Sequence, residues 1–115
     1  MMINRLLWGV SIALTACGQQ PSTEPSIAGA YEECKAMALQ VLKAPATAEF
    51  ASIDDIEAVS LDLTEPDGPT KKEFKILGYV DAQNSFGAKL RNQFSCNITG
   101  WSGNVWVIDS FKILD

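Results

Sequence analysis

The chain has 115 residues, 47% apolar and 20% charged, with a formal net charge of −5 and no histidine. That length holds one small domain, and the composition is globular rather than disordered. The acidity excludes nucleic acid as a natural partner and favours a basic protein or cationic surface on approach, while the missing imidazole removes the usual general base and the commonest metal ligand.

Residues 1–16 have the layout of an export signal. Met1 to Arg5 carries one positive charge, Leu6, Leu7, Trp8, Val10, Ile12, Ala13 and Leu14 form an apolar run, and Ala16 is the small residue expected before a cut. The run is short of the ~20 residues that span a bilayer. Leu14-Thr15-Ala16-Cys17 resembles the lipobox of bacterial lipoproteins. The resemblance implies cleavage before Cys17, a diacylglycerol on its sulfur and commonly a further acyl group on its new amino terminus. Several acyl chains make a stable anchor, where one chain is marginal. Gly18 stands where some lipoproteins carry an aspartate that retains them in the inner membrane, so the resemblance favours the outer membrane, facing the periplasm, in a cell that has one. Residues 17–26 then read as the lipidated cysteine and a polar, proline-bearing linker.

From Ile27 to Lys43 the apolar residues Ile27, Tyr31, Cys34, Met37, Ala38, Val41 and Leu42 recur at helical spacing. Ser26 is a candidate N-cap, Gly29 weakens the first turn and moves the expected start toward Ala30, and Pro45 ends the helix. From Ile56 the period becomes two. Strands are expected over Ile56–Leu63, with Val59, Leu61 and Leu63 alternating with polar residues; over Lys72–Asp81, with Phe74, Ile76, Gly78 and Val80 on one side; over Lys89–Thr99, with Leu90, Phe94, Cys96 and Ile98 on one side; and over Asn104–Ile113. Glu65 to Pro69, Ala82 to Ala88 and Gly100 to Gly103 are the turns between them. The expected fold is α+β, with one N-terminal helix covering a four-stranded antiparallel meander over residues 27–115.

Cys34 falls on the apolar stripe of the helix and Cys96 on the apolar side of the third strand. In the oxidising compartment beyond the inner membrane they are expected to form a structural disulfide. A redox role is disfavoured, because there is no Cys-x-x-Cys and no obvious basic neighbour to lower a thiol pKa.

Cys34, the stretch from Leu42 to Phe50 (Leu-Lys-Ala-Pro-Ala-Thr-Ala-Glu-Phe), the stretch from Gly78 to Ala88 (Gly-Tyr-Val-Asp-Ala-Gln-Asn-Ser-Phe-Gly-Ala) and Arg91 to Cys96 (Arg-Asn-Gln-Phe-Ser-Cys) resemble a small domain family of bacterial envelope proteins. The resemblance implies a fold and no activity. It implies that Asn84 to Ala88 form a shaped loop between paired strands. In that loop Asn84 and Ser85 suit turn hydrogen bonds and Gly87 suits positive φ. Phe86 is expected to pack on the sheet edge; the alternative is a contact loop of Asn84, Ser85, Phe86 and Gly87, with Phe86 exposed and Arg91 beside it.

Other constellations are weaker. Asp54, Asp55 and Glu57 form an acidic cluster that could serve acid–base work or a hard cation, but adjacent loop carboxylates are usually solvated. Asp62, Glu65 and Asp67 lack the spacing of a calcium loop. Ser102 and Ser110 have no histidine to activate them. Trp106 is expected in the core, the alternative being a sugar-stacking platform. No cofactor and no metal are expected. The reading is a membrane-anchored, non-enzymatic envelope module that binds a protein partner. Two alternatives stay open: an inhibitor of a basic cell-wall hydrolase of the lysozyme type, and a structural component of an envelope complex. An enzyme using Asp54 and Asp55 is the competing class.

Overall fold

In the computed structural model of the chain, residues 24–114 are described. The expected signal, the lipidated Cys17 and the linker up to Thr23 lie outside the described residues. Helix α1 spans Ile27–Val41. Ser26 caps it, its hydroxyl accepting a hydrogen bond from the Gly29 N–H at 3.1 Å. This cap holds the first turn despite Gly29, so the helix starts at Ile27 rather than Ala30. It ends before the proline, two residues short of the expected Lys43, with Leu42 already extended. Among the described residues no helix is long and apolar enough to cross a membrane.

The sheet has five strands: β1 (Glu49–Phe50), β2 (Glu57–Asp62), β3 (Lys71–Gln83), β4 (Lys89–Trp101) and β5 (Val105–Leu114). All pairings are antiparallel, and β2 to β5 follow one another as a meander. The expected count of four misses β1. This two-residue strand pairs Glu49 with Asp81 and Phe50 with Val80, on the same edge of β3 that β2 occupies from Leu77 to Lys72. The edge row is thus one line of chain, interrupted by a short 3₁₀ turn over Ile53–Asp55. Two residues leave no periodic signal to read.

Helix α1 lies over β4 and β5 on one face of the sheet. Its small residues Ala30 and Ala38, with Tyr31 and Cys34, are buried against Phe74, Ile76, Val80, Phe94, Cys96 and Ile98. The alternation expected for β3 and for the centre of β4 therefore holds. It fails in two places. Val59 and Leu61 face away from the helix and are 68% and 55% exposed, because β2 pairs Val59 with Lys75 and Leu61 with Glu73, both on the open face. Their neighbour Ala58 is the one that reaches the core. Leu90 shares the inner parity of Phe94 but is half exposed, since the β4–β5 ladder stops at Gln93 and Leu114. Val41, on the expected helical stripe, is likewise exposed.

Cys34 and Cys96 are joined by a disulfide, with Cα atoms 6.2 Å apart and both residues fully buried. Trp106 lies on the helix side as expected. An added Cβ at Gly29 would stand 2.8 Å from its ring, and one at Gly100 only 2.5 Å, so two glycines give the indole its slot between helix and sheet. Pro25 lies on the same slot and is buried, which ties the start of the described chain to the end of the sheet where β3 begins and β4 ends.

Tyr31 donates a 2.6 Å hydrogen bond to the Ala51 carbonyl, pinning the link between β1 and β2 to the helix. Burial, with smaller effects of Tyr79 and Glu32, pushes its hydroxyl up to about 12. An unfolded tyrosine ionises near 10. Between roughly pH 10 and 12 the unfolded state therefore binds fewer protons than the folded one, and stability falls as pH rises. Tyr31→Phe is expected to flatten that alkaline slope. It also costs about 1–3 kcal/mol at neutral pH by leaving a buried carbonyl unpaired. Urea midpoints of both proteins from pH 7 to alkaline pH check this; identical slopes would refute it.

Candidate hairpin contact site

The β3–β4 hairpin closes with Asn84 to Ala88. The Asn84 N–H donates to the Ala88 carbonyl at 2.9 Å, and the Gly87 N–H donates to the Asn84 carbonyl at 3.0 Å. The Asn84 side-chain oxygen accepts from the N–H groups of Phe86 (2.9 Å) and Ala88 (3.0 Å). Gly87 has φ +83°, a conformation open to glycine at no steric cost. This is a turn followed by a left-handed residue, a common three-residue hairpin connection. Asparagine and glycine stand where their chemistry is needed, so the loop's own bonds set its shape.

Phe86 sits on this frame 93% exposed. The expectation that it packs on the sheet edge is overturned. The hairpin runs past the last β4–β5 pair, Gln93 with Leu114, so β5 offers no surface beneath the tip. Leu90 is exposed along the same stretch.

Below the tip, four polar side chains are paired. Arg91 makes a two-pronged bridge to Asp81, Nε to Oδ1 at 2.8 Å and Nη2 to Oδ2 at 2.9 Å. Its guanidinium also lies 3.7 Å from the centroid of the Tyr79 ring, a cation–π stack. Lys89 bonds Glu49 across the sheet. The hydrogen bonds and charge of Arg91 hold the Asp81 carboxyl below its ordinary range. Arg91 is thus a brace of the hairpin stem rather than a free hand beside Phe86. Asp81, Tyr79 and Glu49 were not singled out from the sequence. The signal existed: once Asn84 pairs with Ala88, counting back along both strands places Asp81 opposite Arg91.

The open face of the sheet carries a second surface. A groove of about 210 Å³ is lined by Asp55, Glu57, Leu77, Gly78, Tyr79, Gln93, Phe94 and Leu114. Another, bounded by Val59 and Leu61, includes Glu73, Lys75, Asn97 and Asp109. Asn97 donates to Ser110 Oγ at 3.0 Å, while Asp109 accepts a 2.6 Å bond from Thr99. The acidic cluster is solvated: Asp54, Asp55 and Glu57 are exposed, and Ser52 caps the turn that holds the first two by accepting from the Asp54 N–H. Among the described residues no three histidine, cysteine or carboxylate side chains converge as metal ligands do. Cys34 and Cys96 hold the core together at a distance from the tip.

Searches against protein-family models, curated proteins and solved structures return no match.

Proposed function

We propose that the chain is a lipid-anchored, non-enzymatic module of the bacterial envelope that binds a protein partner through the hairpin tip bearing Phe86. The observation that carries this reading is a large aromatic ring held almost fully in solvent by a loop whose bonds are satisfied without it. Exposing a phenylalanine forgoes roughly 1.5–3 kcal/mol of burial, and a pre-shaped loop loses little entropy when a partner supplies that burial.

Polarity of the fold supports the same reading. The described chain starts at Glu24, whose carboxylate lies 3.8 Å from Lys72 at the start of β3. β3 then runs thirteen residues to Gln83, next to the tip. At about 3.3 Å per residue the tip stands roughly 40 Å from the tethered end. A lipid on Cys17 would then be attached at the pole opposite Phe86. The outer membrane, facing the periplasm, is the proposed location.

Two experiments test the two halves of the proposal. Intact mass of the protein from envelope fractions should show loss of residues 1–16 and added acyl mass on Cys17; an unprocessed, cytosolic chain refutes the anchor. A photo-reactive phenylalanine analogue at position 86 should crosslink one envelope species that the same analogue at Gly103 misses. Phe86→Ser should then weaken binding to that species by about thirtyfold, as expected for an aromatic anchor. Equal crosslinking from both positions refutes the contact. The net charge of −5 favours a basic partner, which keeps hydrolase inhibition as a second reading. A lysozyme-type enzyme whose rate is unchanged by excess protein removes it.

A further inference from the structure

The outer edge of β5 has no described strand beside it. Which partner fits depends on where its main-chain groups point. In an antiparallel ladder these groups alternate in direction from residue to residue. Ala51 donates to the Tyr79 carbonyl and Gln83 donates to Thr47, so the odd residues of β3 face β1 and β2. The even residues of β3 and β4 therefore bond each other, and the odd residues of β4 face β5. Their partners in β5 are Val105, Val107, Ser110, Lys112 and Leu114. This leaves the N–H and C=O groups of Trp106, Ile108, Phe111 and Ile113 directed at the outer edge of β5.

These four residues are not evenly spaced. A register shift between Asn97 and Ile98 inserts Asp109 into β5, so three steps separate Ile108 from Phe111 where a regular strand has two. An incoming regular strand falls out of register there unless it carries its own bulge. A second copy of β5 carries one. Laid antiparallel about a twofold axis between Asp109 and Ser110, it sets Trp106 opposite Ile113 of the second copy and Ile108 opposite Phe111 of the second copy. Both pairings recur by symmetry, and the two irregular steps face each other.

Side chains agree with that register. On the helix side the half-buried row of Trp106, Ile108, Phe111 and Ile113 continues into the same row of the second copy. On the open face Val105, which is exposed, meets Leu114. Lys112 stands opposite Val107 and diagonal to Asp109 of the second copy, bringing opposite charges within the reach of diagonal neighbours. Lysine and a bulge ordinarily protect an edge strand from pairing. Here each finds its complement in a copy of the same strand.

We infer that β5 is a homodimer edge, joining two copies antiparallel through Val105–Leu114 into one continuous sheet with both helices on the same face. The inference stands apart from the hairpin tip, which this arrangement leaves uncovered. Sedimentation equilibrium of the full-length chain in density-matched detergent should give a reversible dimer. Lys112→Glu, on the open face and clear of the core, should raise the dissociation constant severalfold by setting it against Asp109 of the second copy. Ile113→Pro removes one outward N–H per copy without touching the bonds to β4, and should raise the constant at least about tenfold, whereas Ile113→Ala keeps that N–H and stays closer to the parent. Should the proline variant not fold, hydrogen exchange on the parent decides. In the dimer the amides of Trp106, Ile108, Phe111 and Ile113 exchange slowly at high concentration and faster on dilution. A monomer at submillimolar concentration, a dimer unchanged by Lys112→Glu and by Ile113→Pro, or exchange at these four amides as fast as at Ser85 overturns the inference.

Discussion

Phe94→Ala is expected to lower stability by about 3–5 kcal/mol, the range for emptying a phenylalanine site in a packed core. Phe94 is fully buried at the middle of β4. Its ring stacks on Phe111 at 5.4 Å between centroids and meets Phe50 edge-on at 6.4 Å. It therefore ties the edge row, through Phe50, to β5 on the other side. The disulfide and the helix limit how far its neighbours can collapse into the void, which favours the upper part of the range. Urea unfolding midpoints at constant slope measure the effect. A loss below about 1 kcal/mol would mean that the site repacks and that Phe94 does not tie the edge row to β5.

Removing the disulfide has an effect of similar size by a different route. Cys34 and Cys96 are 62 residues apart in sequence. Closing a loop of that length restricts the unfolded chain by about 4 kcal/mol in the chain-entropy account. A domain of this size has roughly 5–15 kcal/mol in all. Cys34→Ala with Cys96→Ala should therefore lower Tm by roughly 15–30 °C, and far-UV circular dichroism below the transition should remain that of the parent. Reduction of the parent under native conditions should be slow, because both sulfurs are shielded from solvent. Rapid native-state reduction would show that the bond is reachable and reopen a redox role. A double-alanine protein as stable as the parent would show that the crosslink does not support the core.

Joining the two variants tests whether they report on one core. Phe94 and Cys96 lie on the same face of β4 two residues apart, and both belong to one buried cluster. Neighbours of this kind do not add independently. The combined loss is therefore expected to differ from the sum of the two by about 0.5–3 kcal/mol, which urea midpoints of the three proteins check; strict additivity would show that the two sites report separately.

Much of the fold is legible in the residues alone. The helical stripe with Cys34, the alternation of Phe74, Ile76 and Val80, and that of Phe94, Cys96 and Ile98 each carry the period of their element. From them follow the layered α+β arrangement, the order of β2 to β5 and the crosslink between helix and third long strand. The hairpin loop is legible for a local reason, since Asn84 and Gly87 have few other uses than the turn they make. The proposal of an export signal and of lipidation at Cys17 rests on the sequence by itself.

Other features needed the third dimension. A period of two states that a strand has two faces and does not say which is inside. Val59 and Leu61 look outward because the pairing of β2 with β3 places them beside Lys75 and Glu73. β1 is too short to have a period and exists because β3 offers it partners at Val80 and Asp81. Phe86 could have packed down or stood out with the same turn chemistry. It stands out because the hairpin extends beyond the end of the β4–β5 ladder, a relation between distant segments.

What the amino-acid order determined, then, is everything set by neighbours a few positions away: periods, caps and turns. What the tertiary structure decided is register and reach, which depend on where separate strands begin and end against one another. Those two quantities put an aromatic ring into solvent at one pole and left β5 with no second strand beside it among the described residues, and both proposed contacts depend on them.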